Sequence, residues 1–219
     1  LLNDGITLNE KAYVEIIEDQ IKNGVHSLLT MGGTGESLTL PRETKKRAME
    51  LAVKTVNHRV PVIASVVELS VYDAIESAKV VKESGADVLL LSNPYGGNTR
   101  LSGVIDFFKM VDDAVDMPMI IYNFPGRTGY NVTPDIVGKL LDAVPNICGI
   151  KECAERFEQT MELIGHFGDR MAVLSGNEFL GAWEMLCGAD GCVVATGNVM
   201  IKELVKLYDI AKSGDIAKT

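Results

Sequence analysis

The sequence predicts an α/β fold of the (β/α)8 TIM-barrel type, and three observations carry that reading. Short runs of β-branched and aliphatic residues alternate with helical patterns along the whole chain. The runs are apolar on both faces, as strands are in a parallel sheet covered by helices on both sides. Several helical patterns end on a glycine just before the next run (Gly24, Gly85, Gly188), where a left-handed cap feeds an αβ loop.

In chain order, helical patterns of period 3.6 begin near Leu8, Arg42, Val71, Leu101, Thr133, Ala154, Asn177 and Val199. Strands are expected over His26 to Met31, Pro61 to Val66, Asp87 to Ser92, Pro118 to Asn123, Ile147 to Lys151, Met171 to Ser175 and Gly191 to Ala195. Right-handed crossovers would join them into one parallel sheet. Eight helices with seven strands then imply a barrel lacking its first strand, with Leu1-Leu2-Asn3-Asp4-Gly5 read as a βα loop. An open doubly wound sheet is the alternative; it would usually carry a Gly-rich turn after its first strand, and the one such turn follows the His26 to Met31 run.

At 219 residues and 47% hydrophobic content, residues 1–219 read as a single, incomplete barrel domain. A net charge of −9 repels polyanions, and no basic run is interleaved with aromatics, so nucleic acid is not an expected partner. Apolar stretches such as Asp87-Val88-Leu89-Leu90-Leu91 are far too short to span a bilayer, and the amino terminus has no signal pattern; the expectation is a cytoplasmic protein with no membrane partner. Cys148, Cys153, Cys187 and Cys192 lack CxxC spacing and read as reduced core thiols. His26, His58 and His166 are scattered, so neither a metal nor a cofactor is expected. Aldol chemistry proceeds through a metal or through a lysine imine, and this composition favours the imine.

Three motifs carry chemistry. Gly32-Gly33-Thr34-Gly35-Glu36-Ser37 follows a strand and leads toward a helix; its glycines let backbone N–H groups converge on a small anion, and Thr34 adds a hydroxyl. It is not a P-loop, having no Gly-Lys-Ser/Thr, and not a dinucleotide fingerprint, having Leu38 where a third Gly is needed. A glycine turn capping a helix is the plainer alternative. Tyr122 ends the run Met119-Ile120-Ile121-Tyr122-Asn123, and at the carboxyl end of a barrel strand a phenol faces the mouth and can pass protons. Arg127, in the loop Phe124-Pro125-Gly126-Arg127-Thr128-Gly129, offers a planar fork for a carboxylate or is simply solvated. Lys151 ends Ile147-Cys148-Gly149-Ile150. An ordinary lysine is neutral in only about one molecule in a few thousand at pH 7; loss of hydration at a barrel mouth would raise that fraction and make the amine a nucleophile for a keto acid. A strand-end lysine reaching into water is the plainer reading. The small residues after Leu174 and around Val193 leave room at two further strand ends.

Taken together, Gly-Gly-Thr-Gly-Glu-Ser, Asn93-Pro94-Tyr95, Tyr-Asn-Phe-Pro-Gly-Arg-Thr-Gly and Gly149-Ile150-Lys151-Glu152 closely resemble the dihydrodipicolinate synthase / N-acetylneuraminate lyase family of pyruvate-dependent class I aldolases. The resemblance covers essentially the whole chain. It implies a (β/α)8 barrel, of which this chain lacks the first strand and most of the carboxyl-terminal helical region, and a homo-oligomer, tetramer or dimer. It also implies that Lys151 forms an imine with pyruvate, that Tyr122 is the proton-shuttling phenol, and that Thr34 and the Gly33 backbone hold the pyruvate carboxylate. Tyr95 and Val193 would line the substrate site. Arg127 would bind the carboxylate of aspartate semialdehyde, the aldehyde partner of the synthase branch, and Arg127-Thr128-Gly129 favours that branch. Two positions depart from the family pattern: a hydroxyl residue is usual where Gly33 stands, and the synthase's Pro-Tyr-Tyr is Pro94-Tyr95-Gly96 here. In the synthase those two groups relay protons with the phenol, the second Tyr coming from a neighbouring subunit. An aldolase of 2-keto-3-deoxy sugar acids or N-acetylneuraminate, and a non-catalytic keto-acid-binding relative, are the rival expectations.

Overall fold

The computed structural model describes residues 2–95 and 99–217. Helices and strands alternate as α1 (Glu10–Lys22), β1 (Leu28–Thr30), α2 (Arg42–Val56), β2 (Val62–Val66), α3 (Val71–Glu83), β3 (Val88–Ser92), α4 (Leu101–Val115) and β4 (Met119–Asn123). There follow α5 (Pro125–Thr128), α6 (Pro134–Ala143), β5 (Ile147–Glu152), α7 (Phe157–Phe167), β6 (Ala172–Ser175), α8 (Gly181–Leu186), β7 (Gly191–Cys192) and α9 (Ile201–Lys212). The seven strands form one sheet in sequential order, and every pair is parallel. The sheet curls until its two ends line one cavity, Leu28 to Thr30 on one side and Gly191 with Cys192 on the other. The rings of His26, before β1, and Tyr208, on α9, stand 4.4 Å apart across that approach.

Local chemistry accounts for the element ends. Asn9 and Ser70 accept from the Ala12 and Asp73 amides at the starts of α1 and α3, satisfying donors that a helix leaves free there. Gly24, Gly85 and Gly188, with φ of 86°, 82° and 116°, make the left-handed turns expected before strands. Several bounds differ from expectation, β1 being confined to Leu28–Thr30 within the expected His26 to Met31. β7 stops at Cys192, and Ala195–Asn198 forms a 3-10 turn, because Thr196-Gly197-Asn198 is turn-forming and the chain closes on itself through Val199 N to Thr196 O at 3.0 Å. α7 begins at Phe157 rather than near Ala154, since Glu155 adopts a left-handed φ of 56° that no helix continues. α8 begins at Gly181, the Asn177 side chain having folded the preceding residues into a turn by accepting from Phe179 N and Leu180 N. The one-turn α5 was not expected; Pro125 presets its first φ, and Gly129 caps it at φ 75°.

Side chains alternate across the sheet into two apolar layers. Leu89, Leu91, Met119, Ile121 and Ile150 point outward into the layer shared with Phe108, Val104 and Leu140 of the helices. Ile63, Leu90, Ile120 and Tyr122 point inward. Burying each large aliphatic side chain contributes about 1.5–3 kcal/mol, so the outer layer is what holds the helices to the sheet.

The two layers meet a break in period on β5. Met119 pairs with Ile147, but Ile120 pairs with Gly149, so Cys148 is a bulge. A strict alternation would put Lys151 on the same face as Ile147, which is outward. The extra residue reverses the phase, and Lys151 lies level with the inward Tyr122. The bulge also corrects the reading of the thiols. All four cysteines are free, but only Cys153 is a buried core thiol; Cys192 is half-buried, while Cys148, extruded by the bulge, and Cys187, in the turn after α8, are exposed.

Candidate active site

A cavity of about 770 Å³ runs from the carboxyl ends of β4 and β5 between the two end strands, β1 and β7, to residues of α1 and α9. Its wall includes Gly33, Thr34, Tyr122, Arg127, Lys151 and Val193, six of the seven residues that the motifs single out. Tyr95 is half-buried against the inward cluster and is not among the lining residues. Gly96 lies outside the described residues.

β4 and β5 bring the amine and the phenol together. Tyr122 and Lys151 are partners in the register, and Lys151 Nζ stands 4.7 Å from the centroid of the Tyr122 ring. Lys151 is 9% exposed and Tyr122 4%. Burial disfavours a charged ammonium, so it holds the Lys151 pKa below its ordinary value, with Arg127 adding repulsion and Cys153 and Glu178 opposing. The same burial pushes the Tyr122 phenol up to about 12, so it stays protonated at neutral pH and can donate. The result is an amine biased toward its nucleophilic form next to a phenol that keeps its proton.

Directly after these two residues, the next register pair forms the support. Glu152, 3% exposed, accepts from Asn123 Nδ2, Gln159 Nε2 and the Ala154 amide. Asn123 Oδ1 in turn accepts from Val132 N at 2.9 Å. Burial raises the Glu152 pKa, and these donors offset the rise only in part. The network ties the ends of β4 and β5 to α7 and to the segment before α6.

The glycine loop leaves β1 through Met31, whose left-handed φ of 56° turns the chain over the cavity. Among the described residues nothing accepts from the N–H groups of Gly33 and Thr34, which leaves both free for an anion. Arg127 is carried by α5, its guanidinium 5.0 Å from the Phe124 ring centroid.

The motifs did not single out Cys153, Phe124 or Glu178, which also line the cavity. Cys153, two residues past Lys151, is the residue whose inward position follows once Lys151 faces inward, by the period of two. Its thiol is pushed up to about 12 by burial and so is not a thiolate at neutral pH. Among the described residues no cluster of His, Cys, Asp and Glu is arranged to hold a metal, and no helix is long and apolar enough to cross a membrane.

Residues 2–219 match the model of the dihydrodipicolinate synthetase family. The 4-hydroxy-tetrahydrodipicolinate synthase of Geotalea uraniireducens is 40% identical over 207 residues, covering 94% of this chain and 71% of its own length. That of Thermodesulfovibrio yellowstonii is 37% identical over 209 residues, covering 95% and 72%. Among solved structures, the dihydrodipicolinate synthase of Acinetobacter baumannii complexed with pyruvate superposes with a TM-score of 0.95 at 33% identity, over 100% of this chain and 74% of that one. A prophage protein of the same family from E. coli K12, also in complex with pyruvate, gives 0.94 at 31%, with the same coverage. By sequence and by fold, then, the chain belongs to the dihydrodipicolinate synthetase family.

Proposed function

We propose that the protein is a class I aldolase of the 4-hydroxy-tetrahydrodipicolinate synthase type, joining pyruvate to aspartate semialdehyde through an imine on Lys151. The curled parallel sheet of seven strands supports reading the domain as a (β/α)8 barrel, and its relatives' names support the synthase branch over the sugar-acid aldolases. The observation that carries the reading is the register pair Tyr122 and Lys151, both buried and both facing the cavity.

In the reaction the neutral Lys151 amine adds to C2 of pyruvate, forming a C–N bond while the carbonyl oxygen takes up a proton. The carbinolamine loses its hydroxyl as water, with the proton for the departing oxygen supplied by the Tyr122 phenol. The protonated imine then draws electrons from the pyruvate methyl group, whose proton passes to the Tyr122 phenolate left by the preceding step; the enamine that results attacks the aldehyde carbon, and hydrolysis of the new imine by water frees the Lys151 amine. The free N–H groups of Gly33 and Thr34 hold the pyruvate carboxylate, and Arg127 holds the carboxylate of the second reactant, so that both are oriented before bonds change. Tyr95 and Val193 shape the wall beyond them. The enzyme works as a homo-oligomer in the cytoplasm.

Borohydride reduction in the presence of pyruvate tests this directly. The adduct is expected on Lys151 and is expected to vanish in Lys151→Ala; an adduct on another residue, or none in the parent protein, overturns the assignment. Turnover with aspartate semialdehyde, compared with cleavage of deoxy sugar acids, decides the branch.

A further inference from the structure

Two opposite charges flank the strand that carries Lys151 without pairing with each other. β5 lies between β4 and β6 in the sheet. The segment after β4 brings Arg127 to the cavity wall, and the turn after β6 brings Glu178. No ion pair joins the two among the described residues. The amine is thus approached by an acid from the side of the sheet opposite to the guanidinium.

Glu178 is held in place by its surroundings. Asn177 Oδ1 accepts from Phe179 N at 2.8 Å and from Leu180 N at 3.1 Å, which fixes the turn on which Glu178 sits. Glu178 Oε1 accepts from Ala195 N at 3.0 Å and so ties that turn to the 3-10 turn after β7. Its second oxygen accepts from none of the described residues. The cavity wall holds two other carboxylates, Glu36 and Asp190. Asp190 stands at the amino end of β7 and accepts from Val173 N at 2.8 Å, while Glu36 belongs to the glycine loop. The charge of Glu178 is felt at Lys151, where it works against the effect of burial.

The chemistry of the reactants says what such a group can hold. Pyruvate offers a carboxylate and a ketone, which are acceptors only, and an acid has nothing to give them. Aspartate semialdehyde carries an α-ammonium as well, with three N–H donors. A braced carboxylate with one oxygen open is their counterpart, and the contact is charge-assisted.

We infer that Glu178 is a specificity-determining residue: it receives the α-ammonium of the second reactant, so that the site selects an amino-acid aldehyde over an aldehyde acid that lacks the amine. The inference rests on the synthase reading above and deepens it.

The test compares aspartate semialdehyde with succinic semialdehyde, which has the same carbon chain and carboxylate but no amine. Both are assayed with pyruvate saturating, in the parent and in Glu178→Gln. Glutamine keeps an oxygen for Ala195 N and removes the charge. The parent is expected to favour aspartate semialdehyde by about tenfold or more in kcat/KM, and the variant to lose most of that preference through KM. A preference unchanged to within about twofold overturns the inference. An equal loss with both aldehydes also overturns it, and a slower borohydride-trapped pyruvate adduct alongside assigns the carboxylate to the imine instead. Calorimetric titration with aspartate and with succinate reads the same difference without turnover. The parent should bind aspartate more tightly and Glu178→Gln should bind the two alike; no difference in the parent overturns the role of Glu178. Absence of a pyruvate adduct with the aspartate preference intact sinks the synthase reading and leaves the ammonium site standing. Adduct and turnover with a preference indifferent to Glu178→Gln does the reverse.

Discussion

Asn123 and Glu152 face one another across the last register pair of β4 and β5, with Asn123 Nδ2 3.0 and 2.9 Å from the two carboxylate oxygens. One residue earlier on each strand stand Tyr122 and Lys151. The outward pair therefore clamps the strand ends whose inward pair does the chemistry. The clamp is buried, so each of its hydrogen bonds is costly to lose without replacement.

Glu152→Ala removes one of the two acceptors that Asn123 Nδ2 and Gln159 Nε2 share, leaving them Asn131 Oδ1, and strips the Ala154 amide of its acceptor. Stability is expected to fall by about 1–3 kcal/mol, the range for stranding a buried polar group, measured by urea denaturation. The rate of pyruvate adduct formation should fall with it, and a variant that matches the parent in both would show that the clamp supports neither.

Tyr122→Phe keeps the ring beside Lys151 and removes the proton donor. Turnover is expected to drop about 10²–10⁴-fold, the usual size of a general acid–base contribution, while the borohydride-trapped adduct still forms, more slowly. Pre-steady-state trapping separates the two effects, and an unchanged turnover would remove the phenol from the mechanism.

The pH dependence follows from the direction of two shifts. The active form of Lys151 is the neutral amine, and its pKa is lowered by burial; the rise of adduct formation with pH should therefore level off below about 10.4, the ordinary lysine value. Tyr122 acts in its protonated form, and with its pKa pushed up to about 12 it should cause no decline until well above neutrality. A rate that climbs steadily through the ordinary lysine value contradicts the desolvated amine.

Gly176, directly after β6 and beside the end of β5, gives a packing test. A Cβ there would meet Cys153 Sγ at 2.0 Å, Glu152 O at 3.0 Å and Lys151 Cε at 3.2 Å. Gly176→Ala is expected to destabilise by about 1–3 kcal/mol, as overpacking does, and to slow adduct formation by displacing the lysine. Adding Cys153→Ala removes the closest obstacle and should recover part of both losses; thermal melts and borohydride trapping on the single and double variants follow the two together.

Several features were legible along the chain because their causes are local. Tyr122 and Lys151 could be placed at strand ends because apolar runs and the turns after them are written in consecutive residues. The glycine caps at Gly24, Gly85 and Gly188 were equally plain, since a left-handed turn selects its residue directly. Cys153 and Glu178 were not singled out, as nothing beside them in sequence distinguishes them from a core thiol and a solvated acid. The expected core role of Cys148 failed for a related reason: hydrophobic neighbours do not reveal which residue a strand will extrude.

By itself, then, the sequence determined the alternation of seven strands with helices, the one-sheet parallel order and the strand ends that carry an amine, a phenol and an anion loop. Tertiary structure decided which way those groups point and which of them touch. Lys151 faces inward because pairing with β4 extrudes Cys148 and shifts the two-residue period, and Arg127 rests on Gly33 because the curl of the sheet brings together loops 94 positions apart. Neither follows from a local pattern, since face and contact depend on the neighbouring strand's register and on the closure of the sheet.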